Sequence, residues 1–90
     1  MRVSKTLAFP FDLQGRFAAD IMREVAYEIN EPIFLAKEGR EINLNSLLGV
    51  LSLGVKKGDL VAISSYSEES LNKCIDIIKK EEKDNGASIG

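Results

Sequence analysis

The chain has one cysteine, Cys74, and no histidine in 90 residues, so neither an internal disulfide nor a structural zinc site can hold it together. A domain near the lower end of the self-folding size range must then be stabilised by its apolar core alone. Apolar residues are therefore expected on faces that become buried, and a segment with more of them than one face can take needs a separate explanation.

The apolar periodicity changes along the chain in an order that defines the elements. Val3, Lys5, Leu7 and Phe9 alternate with Arg2, Ser4, Thr6 and Ala8, which predicts a first strand. Pro10 and Asp12 interrupt it. Ala18, Ile21, Met22, Val25 and Ile29 follow helical spacing, with Gly15 available as an N-cap, until Asn30-Glu31-Pro32 stops the helix. Two short strands, 33–37 and 41–44, flank the turn Glu38-Gly39-Arg40. A short helix is predicted over 46–53, a fourth strand over 60–65, and a last helix behind Ser67 as N-cap with Leu71, Cys74, Ile75 and Ile78 on its buried stripe. The predicted domain covers 1–82, and 83–90, without periodicity, is expected to fray as a tail. The order βαββαβα, with no linker or repeat, predicts an α+β domain: a four-stranded antiparallel sheet with three helices on one face.

Charge and composition exclude several functions. A net charge of −2 and a pI of about 5.1 provide no basic field for direct nucleic-acid or membrane binding. The N-terminal stretch lacks the apolar core of a signal peptide, and no run approaches the roughly 20 apolar residues of a membrane helix, so a cytoplasmic location is expected. No metal or cofactor is implied. The acidic residues are scattered and no nucleophile–base pair is evident, so an enzyme is not expected.

Two segments carry functional signals. Asp12-Leu13-Gln14-Gly15-Arg16-Phe17-Ala18-Ala19 combines a bend, an arginine and the start of a helix, a combination suited to phosphate. It lacks a nucleophile: Gln14 carries an amide, which is not basic enough to accept and pass on a phosphoryl group. Ser46-Leu47-Leu48-Gly49-Val50-Leu51-Ser52-Leu53 has five large apolar residues in eight. At about 100° per residue, Leu47, Leu48 and Leu51 fall on one arc, while Val50 and Leu53 fall on another. A two-turn helix on a sheet cannot bury both. Val50 and Leu53 are expected in the core, leaving Leu47, Leu48 and Leu51 either exposed for a partner or covered by neighbouring loops. Ser46 is placed to cap this helix, and a phosphate there would put about two negative charges beside the apolar patch.

These segments, in this order of elements, resemble the HPr family of bacterial phosphocarrier proteins over roughly residues 2–82. The strongest part is Asn45-Ser46-Leu47-Leu48-Gly49-Val50-Leu51-Ser52-Leu53-Gly54-Val55-Lys56-Lys57-Gly58-Asp59, which is similar to the family's regulatory serine segment. Leu13, Arg16 and Ala18 match the other family signature, Gly-Leu-His-x-Arg-Pro-Ala, while its histidine is Gln14 here and its proline is Phe17. The resemblance implies an open-faced β-sandwich. It also implies kinship with the histidine-less branch of the family that acts in carbon catabolite repression and takes no part in sugar transport. On that analogy Ser46 is the site of an HPr kinase/phosphorylase, and the phosphoserine form is read by a LacI-type catabolite control protein. Leu47, Leu48 and Leu51 match the partner surface. Arg16 matches a contact to acidic partner residues, or is a solvated charge, and Gln14 is a hydrogen-bonding contact. A binding module that works without phosphorylation is the alternative, and a homodimer, through a swapped first strand or the leucine patch, stays open.

Overall fold

Alternation in the first strand and apolar stripes in the helices build the expected elements in the expected order. The computed structural model describes residues 1–87, with β1 (Val3–Ala8), α1 (Gly15–Glu28), β2 (Phe34–Lys37), β3 (Arg40–Asn43), α2 (Leu47–Leu53), β4 (Leu60–Ser65) and α3 (Glu68–Ala87). The sheet is antiparallel in the order β1-β4-β2-β3. The last strand thus lies between the first two, and β1 and β3 are the edges.

β4 is central because one of its faces is fully apolar or internally bonded. Val61, Ile63 and Ser65 are buried, and the Ser65 hydroxyl donates to the Ser67 carbonyl at 2.6 Å. Ala18, Ile21 and Val25 of α1 and Leu71, Cys74, Ile75 and Ile78 of α3 close over that face. Each fully buried aliphatic side chain contributes roughly 1.5–3 kcal/mol of transfer free energy. Burial pushes the Cys74 thiol up to about 12, so this cysteine is packing rather than chemistry. The opposite face of the sheet is open. There the Arg2 guanidinium lies 3.7 Å from the centre of the Phe34 ring and pairs with Glu41 at 2.7 Å.

Four boundaries differ from expectation. The hairpin turn is only Glu38-Gly39, both with positive φ (51° and 80°), and Arg40 already belongs to β3. Two residues in left-handed geometry match the twist of the flanking strands, which explains the tighter turn. The second strand begins at Phe34, and Ile33 lies before it, buried. The cap of α1 is Gln14, in extended geometry, rather than Gly15, which is the first helical residue at φ 51°. Helix α3 continues to Ala87 through residues expected in a frayed tail: the Lys-Lys-Glu-Glu-Lys run from Lys79 consists of strong helix formers, and propagation needs no apolar stripe. The remainder of that tail, 88–90, lies outside the described residues. Among the described residues no helix is long and apolar enough to cross a membrane.

Candidate functional site

Helix α2 begins where β3 runs out of pairing partners. The Asn43 side-chain oxygen accepts the Asn45 N–H at 2.8 Å and the Asn43 carbonyl accepts the Ser46 N–H at 2.9 Å, which turns the chain out of the sheet. Ser46 is the N-cap, in extended geometry (φ −108°), and its Oγ accepts the Gly49 N–H at 3.1 Å. Gly49 has a packing reason: a Cβ there would meet Ile42 Cβ and Ser46 Oγ, each at 3.2 Å. A glycine inside a helix costs about 1 kcal/mol against alanine, and that cost is the sequence signal of this close approach, missed when only apolar residues are considered.

The two apolar arcs of α2 separate as the helical wheel requires. Val50 and Leu53 are 0% and 5% exposed, whereas Leu47, Leu48 and Leu51 are 52%, 81% and 46% exposed. No loop covers the second arc. The helix ends at Gly54 in left-handed geometry (φ 64°). Its carbonyl accepts from the Lys37 ammonium at 2.8 Å.

The Gln14 loop is fastened to the segment that follows α2. The Leu13 N–H donates to the Val55 carbonyl at 2.9 Å, and the Lys57 N–H donates to the Asp12 carboxylate at 2.9 Å. The Phe9 N–H donates to the Asp59 carbonyl, and the Gly58 N–H to the Phe9 carbonyl. Asp59 is the anchor of that turn, accepting the Lys56 N–H at 2.8 Å and pairing with Lys37 at 2.7 Å. These partners, the Lys37 hydrogen bond first, hold its carboxyl below the ordinary value of 3.8. Ser46 and the Gln14 loop therefore attach to opposite ends of α2, a helix about 10 Å long at 1.5 Å rise per residue.

At the start of α1, the Gln14 side chain is exposed and makes no capping bond, and Arg16 is exposed in the first turn. Phe17, expected from the family resemblance to replace a proline, stacks on Phe11 with ring centres 4.5 Å apart, and Phe11 meets Phe9 edge-on at 5.2 Å. An aromatic at this position therefore anchors the helix start by stacking where a proline would do so by restricting φ. The arrangement offers an exposed serine, an exposed leucine surface, an amide and a guanidinium. It holds no imidazole.

A model of the PTS HPr component phosphorylation site matches residues 4–80. The chain belongs to the HPr family. Within it, HPr-like protein Crh of Bacillus subtilis is 33% identical over 72 residues, covering 77% of this chain and 84% of Crh. Crh of Halalkalibacterium halodurans is 31% identical over 72 residues, with the same coverage. The fold matches solved HPr structures. HPr-C-His from Thermoanaerobacter tengcongensis superposes with a TM-score of 0.74 at 24% identity, over 92% of this chain and 96% of that one. Phosphocarrier protein HPr from Bacillus anthracis gives 0.76 at 24% identity, over 87% and 94%. The chain is thus an HPr-like protein related to Crh, with the open-faced sandwich of that family and no histidine in its sequence.

Proposed function

We propose that this HPr-like protein is a regulatory adaptor of the phosphotransferase network, without a reaction of its own, switched by phosphorylation of Ser46. The observation that carries this reading is the pairing of an exposed serine hydroxyl with three exposed leucines on the same short helix, while Gln14 stands in place of the histidine. A phosphate on Ser46 would add about two negative charges next to Leu47, Leu48 and Leu51, converting an apolar surface into one that also attracts arginine. The Crh relationship supports HPr kinase/phosphorylase as the writer and a LacI-type catabolite control protein as the reader, in the cytoplasm, in carbon catabolite regulation. Arg16 and Gln14 supply polar contacts beside the same surface.

The alternative is a binding module that needs no phosphate. What favours it is the present use of Ser46 Oγ as a helix cap, together with Asn45 where a basic residue would aid kinase recognition. Intact mass after incubation with ATP and an HPr kinase separates the readings. One added phosphate that disappears in Ser46→Ala supports the switch. An unmodified protein whose partner binding is lost on Leu48→Asp but unchanged in Ser46→Ala would replace it with the module.

A further inference from the structure

The leucine surface lies with β3 at one edge of the sheet; the other edge, β1, is open. Its side chains alternate as the register dictates. Lys5 pairs with buried Ile63 and so points to the helix side, between partly buried Val3 and Leu7, whereas Ser4 and Thr6 point to the open face. Between β1 and α3 runs a groove of about 210 Å³ whose lining includes Leu7, Ile75 and Ile78 together with Lys5 and Lys79. Neither lysine makes an ion pair among the described residues. From Met1 to Ala8 the chain carries Arg2 and Lys5 and no acidic residue, and Glu82 is the one acidic side chain on the groove.

We propose that this edge is a second docking site, for an extended acidic peptide of another protein that adds to β1 as a fifth strand. Backbone groups of an edge strand supply the affinity of such pairing and alternate side chains supply its selectivity. A strand laid along β1 would turn every second side chain onto α3. An apolar residue there meets Leu7 and an acidic one meets Lys5 or Lys79. A second copy of β1 fits less well, because antiparallel self-pairing in the register centred on Lys5, which overlaps residues 2–8 most fully, sets the Lys5 side chains of both copies against each other, and a lysine on an edge strand is a usual device against edge-to-edge association. The site is independent of the leucine surface, so one molecule could hold two partners at opposite sheet edges.

The test is NMR titration of the labelled protein with the blocked octapeptide Thr-Val-Thr-Glu-Thr-Val-Thr-Glu, which sets valine and glutamate in turn along one face, beside its counterpart with lysine in place of glutamate. The expected result is shift changes confined to residues 3–8 and to the flank of α3 from Ile75 to Glu82, with slowed exchange of β1 amides. Lys5→Gln with Lys79→Gln should weaken binding about tenfold, and Lys5→Glu with Lys79→Glu should abolish it, both with unchanged thermal stability. Equal binding of the lysine peptide, shifts centred on α2, concentration-dependent pairing of β1 with itself in place of the peptide, or no shift at millimolar peptide would each overturn the proposal.

Discussion

Ser46 and Ser67 hold the same post in two helices and differ in what surrounds them. Each caps its helix through Oγ, accepting the N–H three residues on, from Gly49 at 3.1 Å and from Ser70 at 3.2 Å. Ser67 is half-buried, and its hydroxyl proton is already committed to Glu31 Oε2 at 3.0 Å, a carboxylate that also accepts the Tyr66 N–H at 3.0 Å. Two acidic residues, Glu68 and Glu69, follow it in the first turn of α3. Ser46 is exposed, its helix has no acidic residue in the first turn, and its cap bond uses only the oxygen's lone pair. A serine already donating to a carboxylate, with two more carboxylates next to it, is a poor place for a dianion. A serine with one cap bond and no acidic neighbour in the first turn can accept one.

Negative charge at the two caps should break the symmetry most. Ser67→Asp would place a carboxylate against Glu31 and lose the hydroxyl donor, at roughly 2–4 kcal/mol of stability. Ser46→Asp should stay within about 0.5 kcal/mol, since aspartate caps as well as serine. Equal losses in urea unfolding of the two variants would remove the distinction. Next comes Glu31→Ala, expected to cost about 1.5 kcal/mol by stranding the Ser67 hydroxyl and the Tyr66 N–H. In a double-mutant cycle it should couple to Ser67→Ala by at least about 0.5 kcal/mol and add independently to Ser46→Ala. Ser46→Ala by itself should lower stability by about 1 kcal/mol, the ordinary value of a lost serine cap; a loss of more than twice that would mean Ser46 is tied into structure after all.

The smallest effect is local and pH-driven. The depressed carboxyl of Asp59 contributes stability that is present above its ordinary value of 3.8 and is lost as pH falls through the lower folded value. Acidification should therefore lower the hydrogen-exchange protection factor first at Lys56, whose N–H Asp59 accepts, and loosen the attachment of the Gln14 loop. The cap amide of Ser70, held by a hydroxyl, should stay protected over the same range. Simultaneous loss of both would show that the turn after α2 has no separate stability.

The order of elements and the division of α2 into a core arc and an exposed arc were readable from periodicity, because both follow from local geometry. Leu47, Leu48 and Leu51 face outward for the reason visible in the sequence: a two-turn helix cannot bury two sides. The absence of histidine is a plain fact of composition. The cap of α1 was not readable, because Gln14 and Gly15 differ there only in backbone angle. The length of α3 was underestimated because the strong helix formers from Lys79 to Lys83 carry it past the end of its apolar stripe.

What the sequence alone determined is therefore the set of elements, the residues each must bury, and the absence of an imidazole. Tertiary structure decided the rest. Insertion of β4 between β1 and β2 made β1 an edge and opened the groove beside Lys5. Asp12 reached Lys57, and Glu31 reached Ser67, across 45 and 36 positions of chain. Two serines with the same local signal became different chemical objects because hydrogen-bond partners distant in the chain are chosen by packing, and no periodic pattern encodes them.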